Sequence, residues 1–215
     1  MEAALTWSHR TLMSDEMVIN VPDQDAILML RFKDGDMEAF ERLFSRHTRA
    51  VINFAYRFVR NREVAEELAQ EIFMRVYEGA AGYQPQAKFT TWLYRVATNV
   101  CLNEVRKPHF RAMRQSVPTD PPDNQETASF EPKTENDAGR RLEQQAISGA
   151  IRHALEQIPL KQRIAFILNK YQELPYAEVA EVMKISEKAV KSLIHRAKET
   201  LAEKLKPSLP GLLNI

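Results

Sequence analysis

Apolar residues in this chain recur at steps of three and four, segment after segment, and rarely alternate with polar ones. A period near 3.6 buries one face of a helix, whereas a period of two buries one face of a strand. The stretch at residues 83–107 (YQPQAKFTTWLYRVATNVCLNEVRK) is the clearest case. A short loop through Pro85 leads into a helical pattern in which Phe89, Leu93, Val96, Ala97, Val100 and Cys101 share one face. Thr91, Arg95, Asn99, Asn103 and Arg106 follow one another along a second face, flanked by Trp92 and Tyr94. Hydrogen-bonding side chains, cations and aromatics on one helix suit a nucleic-acid strand, which offers phosphates, base edges and flat π-surfaces. An ordinary amphipathic helix with its aromatics packed inside would carry the same pattern.

The remaining pattern agrees with an all-α fold, helped by a count of only six glycines. Residues 1–22 have no sustained periodicity and end in Val21-Pro22, so they read as a mobile leader. A short helix is expected over residues 25–33, with Ala26, Ile27, Leu30 and Met29 inward. Gly35 suits a helix C-cap and Asp36 an N-cap. A longer helix follows over 37–59, its stripe formed by Phe40, Leu43, Phe44, His47, Val51, Phe54, Ala55 and Phe58. Beyond a corner at Arg60-Asn61-Arg62, a helix over 63–78 turns Ala65, Leu68, Ala69, Ile72, Phe73 and Val76 inward. Its other side carries Glu63, Glu67, Gln70 and Glu71, either a solvated face or a dock for a basic partner. Gly79 and Gly82 end it.

After Pro108 the character changes. Residues 117–137 hold Pro118, Pro121, Pro122 and Pro132, and six acidic residues against the single Lys133. Such a segment offers too little apolar surface to offset ordering, so it reads as a flexible acidic, proline-rich linker. A second helical domain begins near residue 140, with helices expected over 141–156 and 160–171. A short helix at 176–183, the connection Lys184-Ile185-Ser186 and a long helix from Glu187 to about residue 206 complete it. The last three have the outline of a helix-turn-helix. On the exposed side of its second helix stand Lys188, Lys191, Ser192 and His195, with Arg196 and Lys198 at the edges. These are candidates for base and phosphate contacts in a major groove. The organisation expected is a leader (1–22), a first helical domain (23–111), a linker (112–138), a second domain (139–206) and a tail (207–215).

A single cysteine, Cys101, excludes an internal disulfide and a CxxC metal site. No metal or cofactor is expected. A net charge of +1 confines any nucleic-acid surface to a local patch. The chain has no run approaching a membrane span and no apolar signal core, so no membrane insertion and a cytoplasmic location are expected.

The two halves together resemble the bacterial RNA polymerase sigma factors of the sigma-70 family, extracytoplasmic-function (ECF) type. The resemblance covers roughly residues 25–111 and 143–206. It implies two small helical domains, a region 2 bundle and a region 4 helix-turn-helix. AEELAQEIFMRVYE (65–78) is similar to the family's segment for docking core RNA polymerase, which would assign that contact to Glu67, Gln70 and Glu71. The family more often has Asp where Glu67 stands. KFTTWLYRVATNVCLNEVRK (88–107) is similar to the segment that recognises and melts the −10 promoter element. The order Phe-x-x-Trp-Leu-x-x-(Val/Ile)-Ala-x-Asn is present as Phe89, Trp92, Leu93, Val96, Ala97 and Asn99. The resemblance implies that Tyr83, Lys88, Phe89, Trp92, Arg95, Asn99, Asn103 and Arg106 serve that single-stranded DNA, and that the loop ahead of the helix captures a flipped base. YAEVAEVMKISEKAVKSLIHRAKETLAEKL (176–205) is similar to the region that reads the duplex −35 element, where Val190, Lys191, Ser192, Arg196 and Ala197 keep the family order. Ala189 stands where Thr is common and Leu193 where Arg is common, which removes a phosphate or base contact.

Two promoter elements about two DNA turns apart are separated by about 70 Å, and a linker of about 30 residues extends to roughly 100 Å. The implied function is promoter-specific transcription initiation without catalysis by the chain itself. The implied partners are core RNA polymerase, promoter DNA and an anti-sigma factor. A two-domain DNA-binding regulator that does not join polymerase is the alternative, but it leaves the Glu67/Gln70/Glu71 patch and the Trp92 segment without a task. A small helical enzyme is disfavoured by five scattered histidines, one thiol and no phosphate-binding glycine loop.

Overall fold

The computed structural model describes residues 23–108 and 147–206, apart from 148 and 152, and every regular element among them is helical. The expected leader, linker and tail lie outside the described residues, as does half of the helix expected over 141–156; its described residues are helical. Helices α1 (Gln24–Lys33), α2 (Met37–Val59), α3 (Arg62–Gly79) and α4 (Phe89–Arg106) form the first unit. A single 3-10 turn, Ala80–Gly82, leads out of α3. The second unit contains α5 (Leu160–Lys170), α6 (Tyr176–Met183) and α7 (Glu187–Leu205).

The helix ends follow from side chains that satisfy the free backbone groups. Asp36 caps α2 by accepting from the Ala39 N–H at 3.2 Å. Its carboxyl is held below the usual carboxylate range, chiefly by its hydrogen bond from Arg31. Between α1 and α2 the chain reverses at Gly35 with φ +102°, a conformation suited to glycine. At the next corner Arg60 adopts the left-handed conformation, and Asn61 caps α3 through the Val64 N–H at 3.0 Å. Ser186 caps α7 through the Ala189 N–H at 3.2 Å.

The face that α1 buries differs from expectation. Ile27 and Leu30 are 39% and 36% exposed, while Asp25, Ala26, Leu28, Met29 and Phe32 are buried. The true stripe is 25-28-29-32, and it begins with a carboxylate that hydrophobic periodicity could not place. Asp25 is buried because it meets His47 Nε2 at 2.8 Å and the guanidinium of Arg46, both on α2. In α2 the expected stripe is buried, except that Phe40 is half-buried and Phe44 is 40% exposed. In the second unit Ile164, Ile167, Leu168, Val190, Ile194, Ala197 and Leu201 are buried as expected.

Asp23 ties both ends of the first unit together. One of its carboxylate oxygens accepts from the Asp25 N–H at 3.0 Å and so caps α1. The other accepts from the N–H of Phe89 at 2.6 Å, 66 residues away, at the start of α4. Helix α4 has no cap from its own flanking residue, Lys88. One side chain therefore completes two helices. Losing an N-cap costs about 0.5–2 kcal/mol, so Asp23→Ala is expected to destabilise the chain by about 1–3 kcal/mol and to lower the urea midpoint followed by circular dichroism. Asp36→Ala, which removes one cap, should cost less.

Candidate nucleic-acid interface

The expected DNA-facing residues of the first unit separate into two groups. Tyr83 and Phe89 are buried, as is Tyr94 beside them. Tyr83 and Phe89 therefore pack the base of the loop and present no ring surface to a strand. Trp92 is the aromatic of this stretch that keeps a partly exposed edge. Its ring lies edge-on to Tyr83 with centroids 5.1 Å apart and 6.0 Å from Phe89. On its other side it lies over Gly79, where an added Cβ would meet the indole at 3.1 Å. The glycine that ends α3 thus makes the space for the indole.

Along α4, Asn99, Asn103 and Arg106 are exposed, Arg95 is half-buried, and Thr91, on the same face, is buried. The cause is α6, which packs across the start of α4. The Thr91 hydroxyl donates to Glu178 Oε2 at 2.8 Å, and Lys88 Nζ stands 2.8 Å from Glu178 Oε1. One turn further on, Arg95 Nη2 is 3.9 Å from Glu181 Oε2. The hydrogen bond to Glu178 raises the Lys88 ammonium above its ordinary value. Sequence reasoning missed both glutamates. Their spacing of three puts Glu178 and Glu181 on one face of α6, but that signal is common on helices.

Glu67, Gln70 and Glu71 are all exposed on the outer face of α3. Glu71 pairs with Arg75 at 2.6 Å, and Met74, on the same face, is 58% exposed. On α7, Lys188, Lys191, Ser192, His195, Arg196 and Lys198 are exposed together. Lys191 is held by Glu187 at 3.0 Å and His195 Nδ1 is 3.2 Å from Glu199. Leu193 is half-buried and packs on the apolar cluster, so its place is filled by packing. Among the described residues no cluster of His, Cys, Asp and Glu could hold a metal ion, and no helix is long and apolar enough to cross a membrane.

The family model for sigma-70 region 2 matches residues 43–110, and that for sigma-70 region 4 matches residues 148–201. The chain is 30% identical over 176 residues to the ECF RNA polymerase sigma factor SigW of Bacillus subtilis, covering 81% of this chain and 92% of that protein. It is 33% identical over 178 residues to the RNA polymerase sigma factor CarQ of Myxococcus xanthus, covering 82% and 95%. The chain belongs to the ECF branch of the sigma-70 family. It is an RNA polymerase sigma factor, which directs transcription initiation. Its fold is also that of CnrH, solved in complex with the cytosolic domain of CnrY, with a TM-score of 0.62 at 22% identity, covering 85% of this chain and 97% of that one. The sigma factor RpoE of Bartonella quintana, solved with the anti-sigma factor NepR, gives 0.58 at 20% identity, covering 78% and 96%.

The sigma factor's buried phenols carry a measurable signature. Burial, and then the carboxylates of Asp23 and Asp25, push Tyr83 up to about 12, and burial pushes Tyr94 up to about 12. In the unfolded chain both ionise near 10. Between about pH 10 and 12 the unfolded state therefore binds fewer protons than the native state, and stability falls as pH rises through that window. Replacing both with Phe should flatten the fall in urea midpoint there. The Tyr83 hydroxyl is buried without a hydrogen-bond partner among the described residues, so Tyr83→Phe is expected to be close to neutral at pH 7. Tyr83→Ala, which opens a cavity, should cost about 3–5 kcal/mol.

Proposed function

We propose how the sigma factor's surfaces divide the work of initiation. Glu67, Gln70 and Glu71 on α3 dock core RNA polymerase. Lys188, Lys191, Ser192, His195, Arg196 and Lys198 on α7 hold duplex −35 DNA in the major groove. Lys88, Trp92, Arg95, Asn99, Asn103 and Arg106 serve the single-stranded −10 region. The observation that carries this reading is the exposure, on three separate helices, of side chains whose types suit three separate partners: carboxylates on α3, cations on α7, and amides and cations with one accessible aromatic edge on α4. The melting step needs no covalent chemistry. Removing a base from the stack costs a few kcal/mol, and stacking on an aromatic returns about 1–3 kcal/mol per base. Trp92 is the ring placed for that contact, while Tyr83 and Phe89 hold it in position.

The domain organisation given above, with a linker at 112–138 spanning the two DNA elements, belongs to the same proposal. So does an anti-sigma factor as a partner, in keeping with the complex in which the Bartonella quintana RpoE was solved. The site of action is the cytoplasm, where polymerase and promoter are found.

Run-off transcription with purified core polymerase on a promoter library tests the reading as a whole, and no transcript above core enzyme alone would overturn it. Glu71→Lys should weaken capture of core polymerase at least tenfold, about 1.4 kcal/mol, with helicity unchanged. Trp92→Ala should reduce open-complex formation, read by 2-aminopurine fluorescence in the −10 strand, by about 5- to 150-fold, the range of one lost stacked base. An equal loss of folded protein by circular dichroism would assign Trp92 to packing instead.

A further inference from the structure

The loop ahead of α4 is held at both of its ends by α1, a helix to which no polymerase or DNA contact is assigned above. We infer that α1 is a splint for this loop, and that Asp23 and Lys33, one at each end of the helix, are positioning residues for promoter melting. This rests on reading residues 83–88 as the loop that takes a flipped base.

Both holds fall on main-chain atoms. Lys33, the last residue of α1, donates from Nζ to the Tyr83 carbonyl at 3.0 Å, where the loop begins. Asp23, the cap of α1, accepts from the Phe89 N–H at 2.6 Å, where the loop ends and α4 starts. A helix of ten residues is a rod about 15 Å long, so α1 sets the span between the two holds. What lies between them is open to a partner. Gln84, Pro85, Gln86 and Lys88 are exposed, whereas the rings of Tyr83 and Phe89 are buried and meet edge-on with centroids 6.3 Å apart. Within the loop the Gln86 N–H reaches only as far as the Gln84 carbonyl, at 2.8 Å, so the path of the loop is governed by its ends. The splint is itself anchored. Asp25, in the first turn of α1, meets His47 Nε2 at 2.8 Å and the Arg46 guanidinium, both on α2. The His47 ring lies 5.4 Å from that of Phe89, so one histidine steadies both α1 and the residue that ends the loop.

The two oxygens of Asp23 allow the loop to be separated from the helix. One accepts from the Asp25 N–H and caps α1, and the other accepts from the Phe89 N–H. Asparagine caps a helix about as well as aspartate, but it has one oxygen and an NH2 group, so it serves one end only. Asp23→Asn therefore keeps the cap of α1 and gives up the hold on the loop. Lys33→Met likewise keeps the apolar stem and loses the donor, while Lys33→Arg keeps a donor.

The test assembles the full chain with core polymerase on a promoter carrying 2-aminopurine in the −10 strand, at saturating promoter occupancy. Asp23→Asn and Lys33→Met should each slow opening roughly three- to tenfold, the size of one hydrogen bond's contribution, with polymerase capture and promoter affinity unchanged. Lys33→Arg should open like wild type. Wild-type opening in both variants would overturn the splint, as would slowing that only follows a fall in urea midpoint. A Lys33→Met defect that shows in promoter affinity and vanishes at saturation would assign Lys33 to a DNA phosphate and overturn its positioning role. A photoreactive residue in place of Gln86 reads the loop itself. Crosslinking to the −10 strand with unchanged opening in the two variants would overturn the splint alone, whereas no crosslink would overturn the reading of the loop and the splint with it.

Discussion

Helix α4 is packed on two bodies at once, and the rest of the structure is arranged around that double burial. Its apolar stripe of Phe89, Leu93, Ala97, Val100 and Cys101 is inaccessible to solvent or nearly so because α2 and α3 lie against it. The thiol of Cys101 is pushed up by this burial and behaves as a small core group. The start of the same helix has no cap of its own, and Asp23 reaches across to supply one. The 83–88 loop is fixed from both sides, by Tyr83 packed on Trp92 and Phe89 and by Lys33 Nζ donating to the Tyr83 carbonyl at 3.0 Å. On the proposed reading of this surface as the one that takes a flipped base, such rigidity matters, since ordering it during binding would consume the small gain that stacking offers.

The second packing partner of α4 is held more loosely. The Lys88 side chain is 62% exposed, and Arg95 approaches Glu181 only to 3.9 Å. Pairs of this kind are worth roughly 0.2–1 kcal/mol each and are screened by salt. The Arg57–Tyr171 contact adds about 0.5–1 kcal/mol. Together with the apolar cluster, which continues from α1–α4 into α5–α7, they suffice to favour one arrangement over another.

Much of the fold was legible from apolar spacing, and the places where legibility failed have a common cause. The bounds of α2 and α6 were read correctly because long amphipathic stripes end at strong caps and turns, Asp36 before α2 and the left-handed Lys184 after α6. The face of α1 was misjudged because its stripe includes Asp25, whose burial depends on a histidine and an arginine more than twenty residues away. Tyr83 and Phe89 were grouped with the DNA candidates by the family resemblance, although apolar spacing had already put Phe89 on the buried face of α4. The masking of Thr91 was invisible for a further reason. Glu178 and Glu181 lie 87 and 86 residues from Thr91 and Arg95 in sequence, and no local pattern records a contact between independent domains.

Identical side chains thus acquire opposite meanings from their neighbours. Glu67 and Glu71 on α3 and Glu178 and Glu181 on α6 are pairs of carboxylates on helices of similar character. The first pair is exposed to solvent among the described residues. The second pair faces cations on α4. With a net charge of only +1, the chain has little long-range attraction for DNA to begin with, and Glu178 and Glu181 neutralise the cations best placed to add to it. On the proposed division of roles, specific binding is then built by arrangement, with α7 and α4 held apart at the spacing of two DNA elements.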